Sequence, residues 1–141
     1  MPAKAPLVPK IPLYVVKGLL ALSALLSGIA TFTAAEPVTE TFARLDLPAR
    51  LMLWMGAAKL AGAVALWVPN APALREWTYA GFAFAMTGAI YLHFSGGDSL
   101  AQSGGPIGLL ALTLAAYAFE RRQLANANAN AADAGDVTDV R

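Results

Sequence analysis

Residues 51–68 read LMLWMGAAKLAGAVALWV and contain one charged side chain, Lys59. A soluble helix of this length has a polar face, and this stretch shows none. Its length is close to the ~20 predominantly apolar residues that a transmembrane helix needs. The stretch therefore predicts a helix that crosses a membrane and holds a lysine near its middle.

Three other stretches have the same character. Residues 11–35 have Lys17 as their one charge, residues 77–94 have the near-neutral His93, and residues 100–119 have no formal charge. Helices fit better than strands, because backbone groups in lipid must be paired within the segment and the apolar residues do not alternate with period two. The sequence predicts an all-α, four-transmembrane-helix bundle, with spans at about residues 11–35, 50–68, 75–95 and 104–122.

The composition supports a membrane protein and excludes several kinds of site. Of the 141 residues, 57% are hydrophobic and 13% are charged, whereas a typical soluble domain has ~25% charged residues. The formal net charge of +1 gives no electrostatic reason to expect a nucleic-acid partner. Cysteine is absent, which excludes disulfides, zinc–thiolate sites and iron–sulfur ligation. No metal site is predicted.

Two alternatives concern the apolar stretches. A soluble bundle of buried helices is disfavoured, since its helices would have polar faces. The first stretch resembles a signal peptide, but its apolar core exceeds the usual 7–15 residues. We therefore expect a retained first helix.

The chain divides into an N-terminal arm (1–10), a membrane domain (11–123) and a tail (124–141) that is predicted to be disordered, because it has little apolar surface. Four spans place both termini on one side. Lys and Arg are concentrated on that side, which predicts a multi-pass protein of the cell (inner) membrane with cytoplasmic termini.

In the outer connection, residues 36–50, Pro37 is expected to open a short helix that lies in the interface.

Lys59 and His93 are the polar residues that most need an explanation. Side chains tilt toward the N-terminus of their helix. The second and third spans run in opposite directions, so the two side chains should approach one depth in the outer half of the membrane. We expect a ligand pocket there, with these candidate residues: Lys59, His93, Tyr79, Phe82, Met86, Asp98, Gly56 and Gly62.

Several interpretations of these residues stay open. Lys59 could be uncharged, pair with Glu36 or Asp98, or face an oxygen acceptor on a ligand. It could also extend toward the headgroups, and His93 could simply cap its helix at the interface. In each of the first three cases the glycines Gly56 and Gly62 are interpreted as space beside the lysine.

The sequence resembles the DoxX-like family of small four-span membrane proteins. The resemblance covers about residues 14–117. Its most specific parts are Lys59-Leu60 with Gly62 after Leu47-Pro48, the segment LREWTYAGFAF at residues 74–84, and His93 followed by Gly97-Asp98. The resemblance implies a four-helix membrane bundle. The broader DoxX group is linked to membrane oxidoreductase complexes, including a thiosulfate:quinone oxidoreductase, which implies quinone as a ligand.

This sequence limits what the resemblance can imply. It has one histidine, so it cannot form a bis-histidine haem site. Met86 and His93 lie two turns apart on one helix face and could not both flank one iron. In a redox system the chain would therefore act as an anchor or as a quinone-contact subunit.

Three functions remain open at this point. The first is a subunit that binds quinone or lipid for a membrane or peripheral redox partner. The second is a non-enzymatic assembly or chaperone-type protein, and the third is a small-anion transporter, which the lack of repeats or broken helices disfavours. No self-contained catalytic constellation is present, so catalytic residues are unknown and enzyme activity is undecided. Partners would include the lipid bilayer and, as an open alternative, further copies of this chain.

Overall fold

The computed structural model describes residues 10–139, with side chains described as far as residue 132. Within that part of the chain the fold is all-α, with five helices and no strand. The helices are α1 (Ile11–Phe32), α2 (Glu36–Arg44), α3 (Arg50–Ala65), α4 (Pro72–Ser95) and α5 (Gly104–Asp139). Residues 1–9, most of the predicted arm, lie outside the described residues.

Each predicted span overlaps a helix. α1 and α3 end before the predicted ends of their spans, α4 begins before its predicted start, and α5 continues well beyond its predicted end. α3 has 16 residues, which at ~1.5 Å per residue is about 24 Å, less than the ~30 Å of a hydrocarbon core. Among the described helices, α1 alone is both long and apolar enough to cross a membrane by length and composition. The four-span arrangement therefore remains a prediction.

Residues 124–139, which belong to the predicted disordered tail, are helical in this structure. α5 continues past Arg122 to Asp139 without a break. Alanine favours helix, and the segment has no proline and no glycine before Gly135. From residue 127 to residue 132 the side chains are exposed, so this part of the helix has little tertiary packing.

The helices pack around α1, which contacts both α3 and α5, while α4 packs mainly against α5. The core is formed by small and large apolar residues of all four long helices and of the turn after α3: Leu20, Ala21, Ala24, Ala63, Leu66, Tyr79, Phe82 and Ala116. The α1–α3 contact is close because both helices have glycine there. A Cβ on Gly56 would lie 2.5 Å from the backbone nitrogen of Phe32, and one on Gly28 would lie 3.1 Å from Leu60.

The predicted short helix in the outer connection is confirmed as α2, with Pro37 in its first turn. A left-handed residue flanks it on each side: Ala34, with φ of 51°, ends the turn after α1, and Asp46, with φ of 53°, follows α2. Between these turns α2 is positioned so that Arg44 pairs with Asp98 after α4 and α2 side chains line one cavity together with α1, α3 and α4. We call this end of the bundle the α2 end, and the opposite end, where Glu120 lies, the Glu120 end.

Candidate functional site

A cavity of about 470 Å³ lies under α2 and extends into the bundle. Its walls come from all five helices and are mostly apolar, with Phe42, Leu45 and Leu47 from α2 and the following turn at its outer side. Its volume falls in the ~300–1,000 Å³ range of small-molecule sites. The polar side chains on its walls are Ser27, Thr31, Thr41, Lys59 and His93.

Lys59 reaches this cavity from the middle of α3. Its Nζ donates a hydrogen bond to Oγ1 of Thr31, at 3.3 Å. The Thr31 hydroxyl in turn donates to the carbonyl of Ser27, at 2.6 Å. Among the described residues, no carboxylate lies within ion-pair distance of Lys59. Nζ of Lys59 therefore donates one long hydrogen bond to the protein, and in its protonated form it has two further hydrogens for other acceptors.

His93 reaches the same cavity from the last turn of α4. Its Nδ1 lies 2.6 Å from Oδ2 of Asp98. The same oxygen lies 3.1 Å from the guanidinium of Arg44, at the end of α2. The Asp98 side chain is 4% exposed, and the turn that holds it is fixed by the hydrogen bond from its backbone N–H to the carbonyl of His93. α2, α4 and the turn after α4 are thus joined at one carboxylate.

The structure brings together three of the eight candidate residues. Lys59, His93 and Met86 line the cavity. Asp98 lies next to it through His93, but it pairs with Arg44 and not with Lys59. Glu36, the other suggested partner of Lys59, is exposed at the start of α2.

Tyr79 and Phe82 do not line this cavity. Tyr79 is 14 positions before His93, about 21 Å along the helix, so it lies at the opposite end of the bundle, where its hydroxyl donates to Glu120 at 2.7 Å. Phe82 packs against Gly62, where a Cβ would lie 2.6 Å from the ring. It lines a second groove of about 370 Å³ between α3 and α4, which shares Met55, Lys59 and Ala85 with the cavity under α2.

The two candidate glycines serve helix packing. Gly56 admits the backbone of Phe32, and Gly62 admits the ring of Phe82. The glycine next to the lysine is Gly28 on α1, where a Cβ would lie 3.2 Å from Cβ of Lys59. Sequence reasoning missed Gly28 because its position opposite α3 depends on how the two helices pack.

Sequence reasoning also missed Arg44 and did not include Thr31 among the candidate residues. Arg44 is 54 positions from Asp98 in the chain, and no local pattern indicates that pair. Thr31 did carry a signal, since it is a hydroxyl on α1 at a depth similar to that of Lys59. Threonines in helices often bond only to their own backbone, and Thr31 both does this and accepts from Lys59.

A second polar cluster lies at the Glu120 end. Glu120 accepts hydrogen bonds from Lys17 at 3.3 Å, Arg75 at 2.6 Å and Tyr79 at 2.7 Å. Arg75 also donates to the carbonyl of Val68, at 2.9 Å. Lys17 lies 5.7 Å from the ring centroid of Trp67. Every member of this cluster has a partner within the protein. This pairing is typical of a structural cluster, and here it joins α1, α4 and α5.

Residues 15–116 match the model of the DoxX-like family. The chain belongs to the DoxX-like family. It is accordingly a membrane protein. No curated protein and no solved structure matches it. The matched range of this DoxX-like protein includes Lys59, His93, Asp98 and Arg44 and excludes Glu120.

Proposed function

We propose that this DoxX-like protein spans the membrane four times and binds a small lipid-soluble ligand, such as a quinone or a lipid, in the cavity under α2, as the ligand-binding or anchoring subunit of a membrane redox system. The observation that carries the proposal is the Lys59 amino group, which lines a mostly apolar cavity and has no carboxylate within ion-pair distance among the described residues. A charged donor at mid-helix in a membrane protein is costly unless an acceptor reaches it. A ligand oxygen would supply that acceptor.

Exposed apolar side chains support the four-span arrangement. Trp77 is 80% exposed and Phe84 is 85% exposed on α4, and α1, α3 and α5 expose Leu26, Trp54 and Leu114. Surface of this kind on every long helix is typical of a face that contacts lipid. α3 would cross by local bilayer thinning or with help from the adjoining turn, Leu66–Trp67.

The distribution of charge supports the proposed orientation. Lys10, Lys17 and Arg75 belong to the Glu120 end together with Arg121 and Arg122, whereas the α2 end has Arg44 and Arg50. By the positive-inside rule the Glu120 end would face the cytoplasm. The cavity would then open toward the outer leaflet, with α2 at the interface over it.

The cavity has the chemistry that a quinone requires. Its apolar walls, which include Met55, Phe84 and Met86, suit a flat ring and an alkyl tail. Lys59 can donate to a carbonyl oxygen of the ring. The same walls and donor would suit the headgroup oxygen of a lipid, so these two ligands must be separated by experiment.

The test is ligand binding to the purified protein in nanodiscs. We expect a short-tailed ubiquinone analogue to bind the wild type and to bind Lys59→Met about tenfold or more weakly, since a hydrogen bond from a charged donor is lost. Arg50→Met is the matched control, because it removes one positive charge from an exposed position of the same helix. Equal affinity in the wild type and Lys59→Met would overturn the proposal. If added phospholipid displaces the bound analogue, a lipid and not a quinone would be the preferred ligand of the cavity.

A second candidate function is assembly with another membrane protein. The groove between α3 and α4 favours it, because its walls include the small residues Ala58, Ala61, Gly81 and Ala85. Such residues allow the close approach of a further transmembrane helix. Ala61→Leu would fill the groove while leaving the cavity under α2 intact. Loss of a stoichiometric partner from the gently extracted complex in Ala61→Leu, with quinone binding unchanged, would support this function over the first.

A further inference from the structure

The Asp98 carboxylate determines which hydrogen-bonding role His93 can play in the cavity. Oδ2 of Asp98 lies 2.6 Å from Nδ1 of His93 and 3.1 Å from Arg44. Arg44 balances the negative charge, and an ionised carboxylate can only accept hydrogen bonds. The hydrogen of a neutral imidazole therefore lies on Nδ1, and Nε2 is left as an acceptor.

Nε2 of His93 is available to a ligand. It has no hydrogen-bond partner among the described residues. Every fully buried side-chain nitrogen or oxygen in the described part of the chain has a hydrogen-bond partner. Since Nε2 has none, it is not fully buried and keeps some accessible surface. His93 lines the cavity under α2, and that cavity is where a partner for Nε2 can be placed.

The cavity therefore offers two different hydrogen-bonding groups. Lys59 is a donor with two free hydrogens, and His93 is an acceptor whose role is fixed from behind by Asp98 and Arg44. The remaining walls near them, including Met86 and Leu92, are apolar. A ligand that satisfies both groups must accept at one oxygen and donate from another.

We propose that the cavity selects aromatic ligands with a free hydroxyl, of the hydroquinone or phenol class, over the oxidised quinone, and that Asp98 and Arg44 are the positioning residues for this choice. The inference rests on the proposed function. A hydroquinone hydroxyl can donate to Nε2 of His93 while another ring oxygen accepts from Lys59. A quinone has only acceptors, so it leaves Nε2 desolvated and unpaired, and sites built to bond a hydroxyl reject analogues that lack it.

The experiment compares four probes with one ring and one short alkyl tail: the hydroquinone, its monomethyl ether, its dimethyl ether and the quinone. Binding to the full chain in nanodiscs is measured without oxygen. For the wild type we expect the hydroquinone to bind about tenfold or more tightly than the dimethyl ether and the quinone. The monomethyl ether should bind like the hydroquinone, because one hydroxyl is enough.

Asp98→Asn separates positioning from folding. In the wild type Oδ2 accepts from both partners. In the variant the amide nitrogen at that position would donate to Nδ1 of His93, which moves the histidine hydrogen to Nε2, and the partly exposed Arg44 side chain would turn to the remaining side-chain oxygen. We expect the preference to reverse, so that the quinone binds more tightly than the hydroquinone. A variant that had merely lost its structure would weaken all four probes together. Arg44→Gln is the second variant, and it should weaken the preference because Asp98 then loses the ion pair that orients its carboxylate toward His93.

The outcomes distinguish the inference from the proposed function. A hydroxyl preference in the wild type that reverses in Asp98→Asn supports the inference. Equal binding of all four probes that still depends on Lys59 would overturn it and leave the proposed function standing. Failure of every probe to bind would overturn both.

Discussion

Arg75 at the start of α4 and Glu120 on α5 form an ion pair with a distance of 2.6 Å. Their side chains are 17% and 12% exposed, and Glu120 also bonds Lys17 of α1 and Tyr79 of α4. One carboxylate therefore joins three of the four long helices at the end of the bundle opposite α2. Each charged side chain of the cluster is paired with another member of it, so its role is to hold the helices in position.

Glu120→Ala should destabilise the protein by about 3–5 kcal/mol, because Lys17 and Arg75 would remain largely buried without an anion. Unfolding in detergent, followed by circular dichroism, measures this effect. Glu76→Ala is the control. Glu76 pairs with Arg121 at 3.2 Å, with both side chains more than half exposed, and such pairs contribute about 0–1 kcal/mol. Similar losses in the two variants would contradict a structural role specific to Glu120.

Gly56→Ala should disrupt the α1–α3 contact. Its Cβ would lie 2.5 Å from the backbone of Phe32, and backbone cannot move aside as a flexible side chain can. We expect a loss of about 1–3 kcal/mol from overpacking. Gly81→Ala on α4 is the matched control, since a Cβ there meets nothing within 4 Å. That substitution should be neutral or stabilise by up to ~1 kcal/mol through helix propensity, and a loss equal to that of Gly56→Ala would count against the close packing.

Ala34→Gly should stabilise the protein by about 1 kcal/mol. Ala34 has φ of 51°, a left-handed conformation that costs a residue with a Cβ roughly 1–2 kcal/mol. Ala43→Gly is the control, because Ala43 lies inside α2 and glycine there should destabilise by ~0.5–1 kcal/mol. Thermal unfolding of both variants should give shifts of opposite sign. A lower unfolding temperature for Ala34→Gly would mean that the turn before α2 is not left-handed.

Deleting residues 128–141 should leave the unfolding temperature unchanged, because residues 128–132 are exposed. The total far-ultraviolet helical signal should fall, since α5 is helical to Asp139. The signal per residue would then stay about constant. A rise in the signal per residue after the deletion would instead agree with the disordered tail that the sequence predicts.

Much of the helical framework follows from sequence because it depends on local features. The apolar stretches, Pro37 at the start of α2 and Pro106 near the start of α5 predict where helices lie. Helix ends were less predictable. The end of α1 at Phe32 depends on the left-handed turn at Ala34, and no glycine marks that turn.

The candidate site was predictable in part. Opposite helix directions predict that the Lys59 and His93 side chains approach each other, and both line the cavity under α2. The assignment of Tyr79 to that pocket was wrong, because an interval of 14 positions preserves the helix face but changes the depth by about 21 Å. Periodicity alone cannot distinguish a shared face from a shared site.

By itself, the sequence determined that this chain is an apolar, all-helical member of its family and identified Lys59 and His93 as the polar residues that need an explanation, because these properties depend on composition and on helix period. Only the tertiary structure decided that Asp98 pairs with Arg44 and His93, that Thr31 faces Lys59, and that Glu120 gathers Lys17, Arg75 and Tyr79. Apart from the short turn that links His93 to Asp98, these partners are 28 to 103 positions apart in the chain. Which residues meet across such intervals depends on how the helices pack against one another, and local sequence does not encode that packing.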